Sequence, residues 1–142
     1  MTQHVLCAVD LQHAEAEKKV LRRAADLAKF YGATLSVVTV IPDYGMSIVG
    51  TYFEEGTLQK AADEANAQLH DFINKTLPDH GAVQHLVEVG NVYEMILDAI
   101  ERSEADLVVI GAHKPSLMDR IQGPNSDRVA RYAKVSVLIV RD

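Results

Sequence analysis

The sequence predicts an α/β protein with a five-stranded parallel sheet covered by helices on both faces. Five short apolar, mostly β-branched segments alternate with four segments of helical periodicity. The run Leu107–Ile110 is apolar without alternation, which is typical of a strand buried on both faces. Because each right-handed crossover leaves a helix on one face, the alternation favours three layers. A length of 142 residues predicts one domain, spanning residues 1–142.

The first strand and helix follow from a change of pattern at Asp10. The apolar run His4–Val9 predicts a strand that stops there. Residues 14–31 then predict an amphipathic helix that ends at Gly32. Its apolar face holds Val20, Leu21, Ala24, Leu27, Ala28 and Tyr31. Its charged face holds Glu15, Glu17, Lys18, Lys19, Arg22, Arg23 and Lys29.

The middle of the chain supplies the second strand and the second helix. The β-branched run Leu35–Ile41 predicts a strand, which Pro42 closes because proline has no amide to donate. Residues 43–57 predict a connection longer than most compact domains use. Apolar residues at helical spacing over Leu58–Leu77 predict a helix that Pro78 and Gly81 end.

The second half of the chain repeats this order. The alternating segment Val83–Val89 predicts a strand near a sheet edge. A turn at Gly90 and Asn91 leads into a third helix from Val92. The remaining predicted elements are a buried strand over Ala105–Gly111, a fourth helix from about Ser126 and a last strand over Val135–Val140.

Composition narrows the class of partner. The net charge is -6 and the fourteen Lys and Arg are scattered, which argues against nucleic acid and against an anionic membrane as partners. No run of residues reaches membrane-spanning length, and the N-terminus lacks the pattern of a secretory signal. The single cysteine, Cys7, excludes an internal disulfide framework. We therefore expect a cytoplasmic protein.

The strongest pattern for a binding site surrounds the fourth strand. This strand ends at Gly111, a polar and basic stretch follows, and Gly123 opens the next helix. Amides at a helix start attract anions, and a glycine lets a ligand approach the backbone. The arrangement therefore suits a phosphate group, although Gly123 equally suits a plain turn.

Several segments give this chain a resemblance to the universal stress protein family over nearly its whole length. The segments that carry it are Val5–Asp10, Leu35–Val40, Glu88–Gly90, Ala105–Gly111 and Val135–Val140. The resemblance implies a Rossmann-like sheet with strand order 3-2-1-4-5, a homodimer and, in many members, a site for ATP or AMP. In nucleotide-binding members the carboxylate that ends the first strand contacts the ribose, and backbone at the end of the second strand contacts the adenine.

These positions define the candidate nucleotide site. Asp10 corresponds to the ribose contact and Val40 to the adenine contact, while Asp10 as a simple helix cap is the competing interpretation. The full candidate set is Ala8, Val9, Asp10, Val40, Ile110, Gly111, His113, Lys114, Gly123, Asn125 and Ser126. Magnesium is expected only if ATP carries it.

The phosphate loop departs from the family motif. Gly111 and Gly123 keep the first and last glycines, but Lys114 replaces the second glycine and the spacer is one residue shorter. Pro124 replaces a Ser or Thr and so removes an amide and a hydroxyl. Asn125 and Ser126 are replacement donors, and Lys114 adds a cation. Two hypotheses stay open: a nucleotide-binding regulatory protein, or a dimeric stress protein that acts through an unknown protein partner without nucleotide.

Catalysis has little support in the sequence. There is no nucleophile with a base, no Gly-Lys-Ser/Thr phosphate loop and no Gly-x-Ser-x-Gly elbow, which leaves slow ATP hydrolysis as the one enzymatic alternative. The histidines at 4, 13, 70, 80 and 85 show no ligand-like spacing, so we predict no metal site. Cys7 is interpreted as a small buried hydrophobe rather than a reactive thiol.

The last strand bears on assembly. If Val135–Val140 lies at a sheet edge, its apolar ladder needs a cover. Pairing of this strand with its own copy about a two-fold axis supplies one, so we predict a homodimer through this strand.

Overall fold

A computed structural model of the protein describes residues 2–42, 55–112 and 125–141, with side chains of the second helix described from Leu58. The strands are β1 (His4–Ala8), β2 (Thr34–Pro42), β3 (Val83–Gly90), β4 (Leu107–Gly111) and β5 (Ser136–Val140). The helices are α1 (Ala14–Tyr31), α2 (Glu55–Thr76), α3 (Val92–Ser103) and α4 (Asn125–Tyr132), and a 3-10 turn spans Leu11–His13. The predicted long connection at 43–57 lies mostly outside the described residues.

All strands are parallel, in the order β3-β2-β1-β4-β5. The predicted α/β class and strand order are therefore confirmed. The chain winds outward from β1 to β2 and β3, crosses back to β4, and ends at β5 on the other edge. The alternating strand β3 is indeed an edge strand, as its sequence pattern predicts.

Two apolar layers flank the sheet. The first lies between the sheet and helices α1 and α2, and includes the fully buried Leu21, Leu69 and Ile73. The second lies between the sheet and helices α3 and α4, and includes Leu6 and Val108. Alternate residues of each central strand serve opposite layers, because side chains of a strand point to alternate faces.

The ends of the helices follow from local capping. Gly32 ends α1 in the left-handed region, at φ 64°, where a glycine pays no steric cost. At the start of α3 the Asn91 side chain accepts the Glu94 amide at 3.3 Å. Two details of α1 differ from the sequence prediction: Tyr31 is exposed, and Glu17 is buried. Tyr31 instead packs edge-on against the ring of Phe30, with centroids 5.1 Å apart.

Strand β4 begins two residues later than predicted. Ala105 is buried, but Asp106 turns its carboxylate onto the amides of Gln3 and His4, at 2.8 and 3.3 Å. This side-chain contact joins the start of β4 to the start of β1. The parallel ladder between the two strands then runs from Val5 opposite Leu107 to Ala8 opposite Ile110.

Candidate functional site

The carboxyl ends of the strands lie along one side of the sheet, referred to below as its carboxyl edge. The direction in which the chain adds strands reverses at β1. Strand β1 lies between β2 and β4, and Ala8 at its end pairs with Val38 on one side and Ile110 on the other. The Val9 amide continues the ladder by donating to the Val38 carbonyl at 2.9 Å. From β1 the chain turns toward β2, whereas β4 lies on the opposite side. Open parallel sheets bind ligands at such a reversal.

Asp10 lies at this reversal, directly after β1. Its side chain is half exposed and caps the 3-10 turn, since one carboxylate oxygen accepts the Gln12 amide at 2.9 Å. The other oxygen lies 2.9 Å from Nδ1 of His13. Both contacts are local, so the carboxylate remains accessible to solvent. The cap and the ligand interpretations of Asp10 are therefore compatible, because a carboxylate has about four acceptor positions.

Glu17 is a site residue that sequence reasoning missed. It is only 3% exposed, and its Oε1 accepts the Asp10 amide at 2.8 Å. The Glu17 side chain thus fixes the backbone of Asp10, the residue at the winding reversal. A signal was available: Glu17 continues the buried helical spacing of Val20, Leu21 and Ala24. Because Glu17 is charged, it was predicted to lie on the solvent-exposed face of the helix.

His13 was also missed. Its imidazole contacts Asp10 across an i, i+3 spacing, with both side chains about half exposed at 55% and 50%. The spacing is short enough to have indicated a pair on a tight turn. Among the histidines, His70 and His85 also meet, with ring centroids 5.3 Å apart. Neither of these two contacts was predicted from the sequence.

The other candidate residues, on β2 and β4, lie at the same carboxyl edge of the sheet. Val40 is half-buried and lies two residues beyond Val38, which pairs with Ala8. Ile110 is buried, whereas Gly111 is half-buried and pairs with Val140 of β5. The parallel register therefore brings the ends of β1, β2 and β4 together, as the candidate set requires.

Helix α4 begins with the predicted donors. Asn125 is its first residue and is half-buried, while Ser126 is buried at 6% exposure in the first turn. Val129, one turn later, is fully buried and anchors the helix on the sheet. His113, Lys114 and Gly123 of the candidate set lie outside the described residues.

Cys7 lies just below this edge and has no free access to it. The thiol is fully buried. Burial, and secondarily the charge of Glu17, raises the pKa of Cys7 well above its ordinary value. A protonated, buried thiol is a poor nucleophile. This environment supports the interpretation of Cys7 as a core residue.

Two kinds of feature are absent from the described residues. Over residues 2–42, 55–112 and 125–141, no group of three or more His, Cys, Asp or Glu side chains is placed to hold a metal ion. Within the same ranges, no helix is long and apolar enough to cross a membrane. At the carboxyl ends of the strands, the described residues supply the accessible carboxylate of Asp10, strand-end backbone and the start of α4.

A parallel sheet with this order is a Rossmann-like α/β fold, a class whose members bind ligands beyond the carboxyl ends of the strands. A family model described as the universal stress protein family matches residues 1–141, so the chain belongs to that family. A relative, universal stress protein G of Shigella flexneri, is 29% identical over 147 residues, covering 99% of this chain and 100% of that protein.

Solved structures share the fold. A universal stress protein in complex with cAMP aligns with a TM-score of 0.73 and 19% identity, covering 98% of this chain and 97% of the other. The universal stress protein from Archaeoglobus fulgidus in complex with dAMP aligns with a TM-score of 0.63 and 23% identity, covering 96% of each chain. At these identities the likeness establishes the architecture.

Proposed function

We propose that this protein binds an adenine nucleotide, ATP or AMP, and acts as a regulatory protein of the stress response rather than as a catalyst. The observation that carries the proposal is the position of Asp10. Its half-exposed carboxylate faces solvent where the winding of the sheet reverses, and Glu17 holds its backbone. Related structures with cAMP and dAMP indicate that this fold accommodates adenine nucleotides.

The residues present fit the parts of such a ligand. Asp10 would accept hydrogen bonds from the ribose hydroxyls, and strand-end backbone at Val40 would meet the adenine. The phosphates would lie toward Gly111 and the start of α4, where Asn125 and Ser126 would donate hydrogen bonds. Ala8, Val9 and Ile110 would line the proposed site. His113, Lys114 and Gly123 complete the proposed set.

The first measurement is mass spectrometry of the supernatant of freshly purified, acid-denatured protein, followed by calorimetric titration with ATP and with AMP. Co-purified or titratable nucleotide supports the proposal. The absence of both favours the second hypothesis, a dimeric stress protein that acts through a protein partner. That hypothesis is supported by Lys114 and Pro124, which replace a glycine and a Ser or Thr of the family motif.

The role of Asp10 is tested by Asp10→Asn, which keeps a side-chain acceptor for the Gln12 amide. We expect nucleotide affinity to fall about tenfold, because a charge-assisted hydrogen bond contributes about 1.4 kcal/mol more than a neutral one. Asp26→Asn, at an exposed position of α1, is the matched control. Equal affinities of the two variants would remove Asp10 from the site.

We also propose a homodimer through β5. This strand lies at the edge of the sheet, and within the described ranges no strand pairs with its outer side. Val137, Leu138 and Ile139 are only half-buried there. Pairing with a second copy would satisfy the ladder and cover these side chains. Leu138→Lys should cause dissociation or aggregation, and light scattering that still gives a dimer mass would contradict this interface.

A further inference from the structure

A groove lies between α3 and α4, at the amino-end side of the sheet and away from Asp10. Its volume is about 280 Å³. The lining residues are Leu97, Ile100, Glu101, Glu104, Ala105, Tyr132, Ala133, Lys134 and Val135. The floor is therefore largely apolar. The volume lies at or below the lower limit of about 300 Å³ for small-molecule pockets, and it suits one or two side chains of a protein better.

The lining of the groove carries net negative charge, because it holds two glutamates, Glu101 and Glu104, and one lysine, Lys134. Glu101 and Glu104 are exposed, and across the described ranges neither carboxylate has an ion-pair partner. The neighbouring Arg102 does not neutralise them, because its guanidinium contacts Glu88 and Asp98 instead. An arginine or lysine side chain from another molecule would pack its methylene groups on the apolar floor and place its charged end beside these carboxylates.

Strand β5 passes directly beside this groove. Val135 lines the groove, and Val135, Val137 and Ile139 pack on the layer under α3 and α4. Leu138 and Val140 pack on the opposite layer. Arg141 continues the alternation and therefore falls on the face of the groove. It is exposed, and no described residue forms an ion pair with it.

Pairing of two β5 strands determines where Arg141 goes. A two-fold axis through the middle residue, Leu138, gives the largest overlap of the five-residue strand with its copy. This register places Val135 opposite Arg141 of the partner subunit. Directly opposed residues of an antiparallel pair point to the same face and lie about 5 Å apart. The guanidinium of the partner subunit's Arg141 then lies within side-chain reach of the groove.

We propose that the groove between α3 and α4 receives Arg141 of the partner subunit, which forms ion pairs with Glu101 and Glu104. Two-fold symmetry makes two such contacts in each dimer. The inference rests on the homodimer proposed above and adds the register and the charge pair that fix it. A peptide from another protein is the competing occupant of the groove.

The test is a charge-reversal cycle measured by sedimentation equilibrium on the full chain. Arg141→Glu should raise the dimer dissociation constant about tenfold or more, because it places like charges together twice. Glu104→Arg should weaken the dimer similarly. The double variant Arg141→Glu with Glu104→Arg should return to within about threefold of the original value. Arg22→Glu, which makes the same charge change on the exposed face of α1, is the control.

A cysteine at the proposed axis separates this inference from the dimer itself. Leu138→Cys should give an oxidised, disulfide-linked dimer, since the residue on the axis faces its own copy and Cys7 is buried. If the dimer is cross-linked but Arg141→Glu behaves like Arg22→Glu, the proposed contact of Arg141 with the groove is wrong, while the homodimer stands. The groove would then be assigned to a peptide from another protein. A monomer without the cross-link would overturn both proposals.

Discussion

Polar groups at the amino ends of the strands and polar groups at their carboxyl ends are hydrogen-bonded in opposite ways. At the amino edge, Asp106 accepts the amides of Gln3 and His4, residues more than a hundred positions away in sequence. There the buried Ser36 also joins His4 to Gln84 across three strands. At the carboxyl ends, the half-exposed Asp10 carboxylate contacts Gln12 and His13, its only hydrogen-bond partners among the described residues.

The difference separates the scaffold from the proposed binding surface. The Ser36 hydroxyl has one hydrogen, which it donates to Oε1 of Gln84 at 2.8 Å, so His4 must donate from Nε2 at 2.7 Å. The hydrogen bonds of the Ser36 hydroxyl, and those that Asp106 accepts from Gln3 and His4, are thus all made within the protein. Asp10 is held in place without having its acceptors consumed. A carboxylate in that condition is available to a ligand.

The largest predicted effect on stability belongs to Asp106→Ala. We expect a loss of about 2 kcal/mol in the free energy of unfolding, because two backbone amides lose a charged acceptor at a half-buried site. Asp10→Ala should cost about 1 kcal/mol, the usual value of a lost cap. Urea denaturation of both variants checks the order. The reverse order would invert the comparison of the two edges.

The pH dependence of the free energy of unfolding is an independent test of the role of Asp106. Its hydrogen bond from the Gln3 amide lowers the pKa of the carboxyl below its ordinary value. The stabilisation is therefore present above the unfolded-state pKa and is lost as the pH falls through the folded-state pKa. Asp106→Ala should flatten this part of the stability curve below about pH 4.

A smaller effect is expected from Ser36→Ala. The variant removes both hydrogen bonds of the hydroxyl, but His4 and Gln84 retain partial access to water. We expect a loss of about 1 kcal/mol in unfolding free energy. Ser136→Ala, at an exposed position of β5, should change stability by less than about 0.5 kcal/mol. A Ser36 variant as stable as this control would mean that the network contributes little.

The fold was predictable because hydrophobic periodicity and turn residues agree along the described chain. The boundaries of α1 follow from the helical spacing of its buried residues and from Gly32, and both coincide with the structure. The start of β4 was less predictable, since the contact that turns Asp106 away links it to residues at the other end of the sequence. Long-range contacts of this kind leave no local pattern.

The candidate site was predictable only in part. The alternation of strands and helices predicted that Asp10, Val40 and Gly111 lie on the same side of the sheet, whereas the strand order that makes β1 the neighbour of β2 and β4 was implied by the family resemblance. Glu17 was missed because a charge normally indicates solvent, although its helical spacing indicated the core. His13 was missed because its partner lies within one turn, where cap and ligand patterns look alike in sequence.

The smallest predicted effect concerns His85 on β3, which belongs to neither edge network. Burial, and secondarily the nearby His70 and His80, lowers the pKa of His85 below its ordinary value. The unfolded chain then binds more protons near pH 6, so this contribution to stability is present above about pH 6.5 and declines as the pH falls through the folded-state pKa. His85→Gln should reduce the decrease in the free energy of unfolding between about pH 7.5 and about pH 5. The change in slope should correspond to a difference of less than one bound proton between the unfolded and folded states. Urea denaturation at each pH measures it. His13→Gln is the control, since its imidazole is half exposed at the carboxyl edge. If that variant removed the slope instead, the acid-sensitive region would be the carboxyl edge rather than the contact between β3 and α2.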